Sequence, residues 1–521
     1  MFLRHALPCL LLLGLLHGTP LAALSARAAN NILLIIADDL GADSFPLTAV
    51  VGASLPPMPN VSALKNSGVL FRNTYAHPTC SPTRAAILTG RHPFRTGIGQ
   101  ALQGAPSPQL QATEFTLPDA FAANAALGYA VASFGKWHLT AGAGTAATPN
   151  TIGGWPHYAG GLLGALPDYF NWTKTTDGVN TTVTTYATTD TANDVVAWIQ
   201  AHNAAPWFAW VAFNAPHAPF HKPPNDLHSY DALPTIVGTD KRPYFEAACE
   251  AMDTEIARIL AVVDLAHTTV IFVGDNGTPP QVIQTPYTSA HAKDSLYEGG
   301  TRVPLIIAGA GVVNPNRDST ALVGLVDLYA TILALAGINA TATQPAENIV
   351  DAKSLLPLLQ NQSDSGRFAF SQQFGGTLTP ATSGQTLRDA LGFKLLEFAD
   401  GHEEFYDLSV DPDEQNNLPI ATLNATQLAS YHGLKLEMTK FQDILTAPSV
   451  QSVVVTGSQA TVRVAKTSGV TIYTLYRSTA LTTYGTWLPV NGATVVDEGS
   501  VVRLVDPDAN GPGFFYRILA H

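Results

Sequence analysis

The sequence contains very little cysteine. Three cysteines occur among 521 residues, at positions 9, 80 and 249. So few cysteines exclude a disulfide framework. Cys249 continues the apolar stripe of a predicted helix, and we interpret it as a small core residue. A Cys80–Cys249 bridge is the structural alternative for both residues. Cys9 lies in an apolar stretch without the small neighbours that a lipid-anchor site needs.

Charged residues are also scarce. They make up 13% of the chain, and the formal net charge is −13. This balance gives no general attraction to nucleic acid or to an anionic membrane, so neither is expected as a partner. No apolar run is long enough to span a bilayer. The apolar residues 6–16 follow Arg4 and His5 and precede a small-x-small site, which predicts a cleaved signal peptide over residues 1–28 and a secreted or periplasmic protein.

Four apolar runs, at residues 32–36, 129–134, 207–213 and 269–273, have the length of strands buried on both faces. Helix-like stretches separate them, which predicts an α/β fold with a large, mainly parallel mixed sheet sandwiched by helices. A polar group follows each run: Asp38 and Asp39; Lys136 and His138; His217; Asp275 and Asn276. Because ligands bind outside the carboxyl ends of such strands, we expect these groups to form one site.

Residues 80–91 have the layout of a helix start. Ser81 is the predicted N-cap, Pro82 the first helical residue, and Gly90 the end of the helix. Cys80 is then expected just outside the positive end of the helix, with Arg84 one turn inside. This arrangement predicts a sulfur nucleophile, or a group made from it, beside a cradle for an anion.

The two strand-end pairs Asp38-Asp39 and Asp275-Asn276 offer only oxygen ligands. Such a set suits a hard divalent cation, calcium or else magnesium, rather than zinc. The alternative is structural: Asp38-Asp39 caps a turn, and Asp275-Asn276-Gly277 forms a tight turn.

Three segments resemble the signatures of the type I, formylglycine-dependent sulfatases of the alkaline phosphatase superfamily. Residues 80–91 resemble the Cys-x-Pro-x-Arg signature, in which the cysteine is oxidised to formylglycine (3-oxoalanine). Residues 135–139, Gly-Lys-Trp-His-Leu, resemble the second signature. Residues 297–304 resemble the segment Tyr-Glu-Gly-Gly-x-Arg-x-Pro, and Lys293 holds the place of the preceding lysine that contacts the substrate sulfate. The resemblance covers about residues 30–420.

The resemblance implies a secreted sulfuric ester hydrolase that cleaves an aryl or carbohydrate sulfate into sulfate and an alcohol. The implied catalytic residues are Cys80, Arg84, Lys136, His138, His217 and Lys293. The implied ligands of the calcium or magnesium ion are Asp38, Asp39, Cys80, Asp275 and Asn276. In this family a hydroxyl of hydrated formylglycine attacks sulfur, His217 with Lys293 protonates the alcohol, and His138 near Lys136 deprotonates the second hydroxyl. A formylglycine-generating enzyme is an implied partner during maturation.

Two other functions stay open. A phosphonate monoester or phosphodiester hydrolase of the same superfamily is the first, although members of that group more often resemble Asp-His where this chain has Asp275-Asn276. A non-catalytic protein that binds sulfated glycans is the second, if Cys80 is not converted.

The expected domain organisation has three parts after the signal peptide. Residues 30–390 are the catalytic α/β domain, in which residues 140–189 are predicted as loops over the site that select the substrate, and residues 322–336 as a helix. Residues 391–446 resemble the small C-terminal sulfatase subdomain, with a hairpin over 391–408 and a helix over 428–445. Residues 449–521 have the short strand-like runs of a β-sandwich-like accessory domain.

Overall fold

The structure is a computed structural model that describes residues 30–49, 52–103, 109–140, 146–345 and 348–441, and strands with their adjoining residues between 450 and 520. The predicted signal peptide, residues 1–28, lies outside the described residues. Across the described part of the chain, no helix combines the length and the apolar character needed to cross a bilayer.

A ten-stranded mixed sheet forms the centre of the described residues. Its strands are β1 (Asn31–Ala37), β2 (Gly68–Tyr75), β3 (Ala130–Gly135), β4 (Tyr158–Gly160), β5 (Trp172–Thr176), β6 (Val179–Val183), β7 (Trp207–Ala212), β8 (Thr268–Gly274), β9 (Leu305–Gly309) and β10 (Arg317–Gly324). They lie in the order β10-β2-β9-β8-β1-β7-β3-β4-β5-β6. From β8 to β4 neighbouring strands are parallel, whereas β9, β5 and β6 pair antiparallel. The prediction of a mainly parallel mixed sheet is confirmed.

Helices cover both faces of this sheet because its central strands are apolar on both sides. In β1, Ile32 and Leu34 belong to one buried cluster, while Leu33 and Ile35 belong to another on the opposite face. The helices are α1 (Pro59–Ala63), α2 (Cys80–Thr89), α3 (Pro93–Thr96), α4 (Leu117–Ala123), α5 (Thr148–Thr151), α6 (Ala187–His202), α7 (Arg242–Leu260), α8 (Glu298–Thr301), α9 (Asp327–Leu335), α10 (Ala340–Thr343), α11 (Leu356–Leu359) and α12 (Ala425–Met438). Side chains of α2, α4 and α9 fill the first cluster, and those of α6 and α7 fill the second.

Two segments differ from their sequence-based predictions. The helix predicted over residues 322–336 begins only at Asp327, because the residues up to Gly324 pair with β2 as strand β10. The segment predicted as loops over residues 140–189 contains β4, β5 and β6, which extend one edge of the sheet. Its many threonines are β-branched and suit an edge strand, although the segment lacks the apolar pattern of the central strands.

A smaller four-stranded antiparallel sheet follows, with β11 (Ala369–Gln373), β12 (Gly384–Arg388), β13 (Phe393–Phe398) and β14 (Glu403–Asp407). β13 and β14 form the hairpin predicted over residues 391–408. One face of the sheet packs on α12 through a buried cluster that includes Phe370, Leu395 and Leu434. That helix begins at Ala425, three residues before the predicted start at position 428.

A buried ion cluster joins the smaller sheet to the large one. Lys394 Nζ on β13 lies 3.1 Å from Glu298 Oε1 and 2.8 Å from Glu414 Oε1. Glu414 Oε2 also accepts a hydrogen bond from the backbone N–H of Glu298 at 2.6 Å. Because Glu298 begins α8, shortly after Lys293, the smaller sheet supports the segment that carries the predicted active-site lysine.

Beyond residue 449 the described residues contain seven strands: β15 (Val450–Thr456), β16 (Gln459–Ala465), β17 (Tyr473–Ser478), β18 (Leu488–Pro489), β19 (Thr494–Asp497), β20 (Val501–Asp506) and β21 (Phe515–Ala520). They form a four-stranded sheet, β15-β16-β20-β19, and a three-stranded sheet, β18-β17-β21, both antiparallel. The all-β prediction for this region is confirmed. Its division into a separate domain over residues 449–521 stays a prediction, as do the boundaries at 390 and 446.

Candidate active site

The carboxyl ends of four adjacent parallel strands meet at one place. β8, β1, β7 and β3 are neighbours in the sheet, so the segments that follow them lie side by side. These segments carry the polar residues singled out in the sequence: Asp38, Asp39, Lys136, His138, His217, Asp275 and Asn276. The structure also brings Cys80, Arg84 and Lys293 to this edge through hydrogen bonds and ion pairs with members of that group.

Helix α2 presents Cys80 at this edge. The helix begins at Cys80 with Thr79 as its N-cap and ends before Gly90, which has a φ of 71°. The prediction that Ser81 caps the helix and that Cys80 lies outside it is therefore wrong. The Ser81 oxygen is not available for capping because it accepts from the backbone N–H of Leu102 at 3.1 Å, while the hydroxyl donates to the backbone carbonyl of His138 at 2.9 Å. This bond joins the start of α2 to the segment after β3, and the helix N-terminus still favours an anion beside Cys80.

Three buried carboxylates are each paired with a cation. The Lys136 ammonium lies 2.6 Å from Asp38 Oδ2, the Arg84 guanidinium 2.8 Å from Asp275 Oδ2, and the Lys293 ammonium 2.5 Å from Asp39 Oδ1. The first two pairs are fully buried. Burial of so many charges is tolerated because each one has a partner at hydrogen-bond distance.

Two oxygen atoms of this cluster lack the partner that burial demands. Asp38 Oδ1 and Asn276 Oδ1 are buried, and neither has a hydrogen-bond partner among the described residues. Carboxylate and amide oxygens are ligands that calcium and magnesium prefer. Ligand atoms of Asp38, Asp39 and His217 lie within 4.8 Å of one another, and Asn276 Nδ2 donates to Asp39 Oδ1 at 2.7 Å. The residues therefore fit a hard divalent cation. His217 belongs to this group of potential ligand atoms, although the sequence did not predict it as a ligand.

Asp275 and Cys80, the other two predicted ligands, have protein partners instead. Asp275 Oδ1 accepts from the backbone N–H of Asp39 at 3.1 Å, while its Oδ2 is held by Arg84. Cys80 is a free, buried cysteine whose Sγ lies 3.1 Å from His138 Nδ1. Neither residue belongs to the compact group of ligand atoms found among the described residues.

The pKa values of the two adjacent aspartates shift in opposite directions. Burial raises the pKa of Asp38 well above its usual range, outweighing the opposite effect of Lys136. Burial also acts to raise the pKa of Asp39, but Lys293 and His217 lower it below its usual range. A cation and a proton therefore compete for the Asp38 carboxylate, so metal affinity is expected to rise with pH.

His138 is oriented by contacts at both ring nitrogens. Nε2 lies 2.9 Å from the carbonyl oxygen of Leu102; because a carbonyl can only accept, Nε2 carries the proton. Nδ1 then has a free lone pair, directed at Cys80 Sγ. Gly164 packs against the ring so closely that a Cβ there would lie 2.4 Å from His138 Cε1. Burial lowers the pKa of His138 well below its usual range, so the ring is neutral and can take a proton at Nδ1.

His217 faces the same cavity from the segment after β7. Its Nδ1 donates to the carbonyl oxygen of Ala218 at 2.6 Å, and its Nε2 lies 3.7 Å from Asp39 Oδ2. Burial lowers the pKa of His217 to about 3, although Asp39 acts in the opposite direction. The neutral ring therefore accepts at Nε2, and it donates there only when nearby negative charge stabilises the imidazolium.

A cavity of about 410 Å³ opens onto these groups and is lined by Cys80, His138, His217 and Lys293, among others. The sequence analysis did not single out Leu102, Thr140 or Asp294, which also line it. Leu102 acts through a backbone carbonyl, for which a side chain gives no signal. Asp294 directly follows Lys293 in the sequence, and this adjacency could have predicted that Asp294 lies at the site.

Residues 30–338, more than half of the chain, match the family model described as Sulfatase. The chain belongs to the sulfatase family. Residues 289–442 match a second family model, described as the C-terminal part of N-sulphoglucosamine sulphohydrolase. The predicted relationship to the formylglycine-type sulfatases of the alkaline phosphatase superfamily is thereby confirmed, and this member is a sulfuric ester hydrolase.

Individual relatives agree with this assignment. The human N-acetylgalactosamine-6-sulfatase is 29% identical over 405 residues, which cover 70% of this chain and 72% of that protein. The crystal structure of Ps i-CgsB has a TM-score of 0.66 to this sulfatase at 23% identity, covering 79% of this chain and 92% of the other. The phosphonate monoester hydrolase of Agrobacterium radiobacter has a TM-score of 0.57 at 20% identity, covering 79% and 96%. The two solved structures show that the fold is shared.

Proposed function

We propose that this sulfatase hydrolyses a sulfate monoester of an aryl or carbohydrate alcohol, with the side chain at position 80 as the nucleophile after Cys80 is oxidised to formylglycine. The observation that carries the proposal is the 3.1 Å separation of Cys80 Sγ from His138 Nδ1, the ring nitrogen with a free lone pair. Sγ stands where an oxygen on the same carbon would stand after oxidation. A thiolate would form a stable sulfur adduct, whereas a hydrated aldehyde can release sulfate.

Hydrated formylglycine would supply two hydroxyl groups on one carbon. One would attack sulfur and lose its proton while the departing alcohol gains one, so that protons balance, and loss of the proton from the other would then let sulfate leave. Arg84 lies one helical turn from position 80 and is fully buried. Its guanidinium is held rigidly, because Nη1 donates to the carbonyl of Lys136 at 2.9 Å and Nε donates to Asp275. A fixed buried cation at this position stabilises the negative charge that develops around sulfur.

The alcohol must receive a proton as its bond to sulfur breaks. His217 Nε2 faces the cavity, and the fixed donation from Nδ1 to Ala218 directs a second proton to Nε2. Asp39, at 3.7 Å, stabilises the imidazolium from which that proton is given. Lys293 lines the same cavity and assists with its positive charge.

The remaining step restores the aldehyde. His138 Nδ1 accepts the proton of the second hydroxyl, the carbonyl forms, and the bond from that carbon to the sulfate oxygen breaks with its electrons leaving on sulfate. The Leu102 carbonyl, which accepts from Nε2, stabilises the ring as it becomes positively charged. Lys136 Nζ lies 2.6 Å from Asp38 Oδ2 and acts against the burial that favours protonation of that carboxylate.

Calcium or magnesium would be held by Asp38, Asp39, Asp275 and Asn276, with the side chain at position 80 as a further ligand. An ion held there would supply Lewis-acid polarisation of the sulfate group. The two unpartnered oxygens, Asp38 Oδ1 and Asn276 Oδ1, support this assignment.

The first test combines mass spectrometry with turnover. The protein is purified from its native host, and the peptide that contains position 80 is weighed to detect formylglycine. Turnover of nitrophenyl sulfate and of a nitrophenyl phosphodiester is compared on the same sample. We expect formylglycine and faster sulfate hydrolysis. A clearly faster phosphodiester reaction would replace the sulfatase proposal with the phosphonate and phosphodiester hydrolase alternative.

Two cysteine variants complete the test. Cys80→Ala should abolish turnover and leave the fold intact. Cys249→Ala is the matched control, because Cys249 is also a free buried cysteine but lies on α7 and packs into the core. An unmodified Cys80 in a sample that still binds sulfated glycans without turnover would support the non-catalytic binding protein instead.

The same proposal includes export to the periplasm or the medium and a formylglycine-generating enzyme as partner. Cys80 is 1% exposed, so the modifying enzyme must meet the chain before α2 packs. Sequencing the N-terminus of the exported protein tests the predicted removal of residues 1–28.

A further inference from the structure

Two polar side chains of the active-site cavity take part in none of these steps. Asp294 lines the cavity, and the described residues provide no hydrogen bond or ion pair to its carboxylate. Its backbone is fixed in the left-handed region, with a φ of 71°, and its N–H donates to the carbonyl of Pro78 at 3.0 Å. Thr140 lines the same cavity with a hydroxyl that is buried and, within the described residues, unpartnered. Both groups are therefore available to a ligand.

The charges around the cavity limit what that ligand can be. Lys293 lines the cavity, but its ammonium is already 2.5 Å from Asp39. A neighbouring cavity of about 300 Å³ shares Leu163 and Ala165 with it, and none of the described residues that line that neighbour is charged. Beyond the group that binds sulfate, the walls thus offer one carboxylate, hydroxyls, two side-chain amides (Gln103 and Asn180) and apolar surface, and no uncommitted cation among the described side chains.

Building on the proposed function, we propose that Asp294 and Thr140 recognise the alcohol half of the substrate and select a neutral sugar that carries a single sulfate. One sugar hydroxyl donates to the Asp294 carboxylate, and the Thr140 hydroxyl bonds a second sugar oxygen. A second sulfate or a carboxylate on the same ring would face Asp294 and be repelled. The whole chain has a net charge of −13, which likewise repels polyanionic substrates.

The test compares three substrates on the full-length, metal-loaded, formylglycine-containing protein: monosulfated hexoses, the same hexoses with a second sulfate, and nitrophenyl sulfate. Nitrophenyl sulfate has no sugar hydroxyl, so it reports any disturbance of the neighbouring Lys293. Wild type should prefer the monosulfated hexose over the disulfated one by about tenfold or more in kcat/KM. Asp294→Asn should reduce that preference by about tenfold, because the repulsive charge is removed while the shape is kept.

Asp294→Ala should raise KM for the monosulfated hexose about 10- to 100-fold relative to nitrophenyl sulfate, the loss expected when a hydrogen bond to a charged group is removed. Thr140→Val, which keeps the shape and removes the hydroxyl, should raise the same KM by a smaller factor. Asp226→Asn changes an exposed aspartate outside the cavity and serves as the matched control.

The outcomes separate this inference from the proposed function. If wild type turns over nitrophenyl sulfate but prefers disulfated hexoses, or if Asp294→Asn leaves the preference unchanged, the selection by Asp294 is refuted while the sulfatase mechanism stands. If no sulfate ester is hydrolysed although formylglycine is present, the proposed function itself fails. If Thr140→Val has no effect and Asp294→Asn acts as expected, Asp294 alone selects the alcohol and the part assigned to Thr140 is wrong.

Discussion

Lys136→Met removes one partner of a fully buried ion pair. Lys136 Nζ and Asp38 Oδ2 are 2.6 Å apart and both side chains are 0% exposed. At that distance two unit charges attract each other by about 6 kcal/mol for an effective dielectric constant of about 20. Removing one partner of a buried pair typically costs about 3–5 kcal/mol, because the other charge is left without compensation. We expect a loss of this size in the free energy of unfolding of the metal-free variant at pH 8.

The sign of the pH dependence follows from Asp38. Its pKa is raised in the folded protein, and loss of Lys136 raises it further. The folded variant therefore keeps a proton that the unfolded chain releases near pH 4, so its stability should fall as pH rises from about 4 through the folded pKa. Below about pH 4, the difference in the free energy of unfolding between the variant and wild type should be smaller.

Urea unfolding with excess chelator, measured from pH 4 to pH 8, checks both expectations. Lys440→Met is the control, because it removes an ammonium from an exposed ion pair, with Glu437 at 2.5 Å. That change should cost less than about 1 kcal/mol. If Lys136→Met is as stable as wild type at pH 8, or if the stabilities of the two proteins change with pH in parallel, then Lys136 does not compensate the buried charge of Asp38.

Three further outcomes are expected. His138→Gln should lower kcat for nitrophenyl sulfate by about 10²–10⁴-fold, the usual contribution of a general base, with calcium affinity by calorimetry unchanged. Burial raises the pKa of Glu414 to about 7, so stability is lost as pH rises from about 4.5 to 7, and Glu414→Gln should flatten that part of a urea-unfolding profile. Burial lowers the pKa of His92 to about 3, so stability is lost as pH falls from about 6.5 to 3. His92→Phe, beside Phe370 at a ring distance of 4.9 Å, should reduce that acid sensitivity in thermal melts.

The strands that build the site could be predicted because their signal is local. Each is a short apolar run that ends in a polar residue, and parallel strands bring their carboxyl ends to one edge. The strand ends therefore predict Asp38, Lys136 and Asp275 as site residues without any information on their contacts. The edge strands β5 and β6 were missed because they are polar, and β4 because it is only three residues long. β4 alone pairs with β3, while β5 pairs with β4 and β6 with β5.

Tertiary contacts decide the remaining details of the site. Thr79 and Ser81 are both residue types that favour N-cap positions, but neither side chain caps α2. The Thr79 side chain makes no capping hydrogen bond, and Ser81 is bonded to Leu102 and His138, 21 and 57 residues away. The Leu102 carbonyl that fixes the His138 tautomer lies 36 residues from the ring it holds. No residue type marks either contact, so pattern alone could place His138 in the site but could not say which nitrogen is the base.

The ion pairs of Lys394 with Glu298 and Glu414 can form only late in synthesis of the chain. Lys394 leaves the ribosome about 310 residues after Cys80, which at 5–20 residues per second is a delay of about 15 to 60 seconds. The segment with Lys293 is itself made only about 210 residues after Cys80 and gains its anchor from β13 about 100 residues later, so the nascent active site stays unfinished until then. Under the proposed function, the late arrival of the C-terminal sheet would leave a period in which an oxidising enzyme can reach Cys80 before the finished protein encloses it.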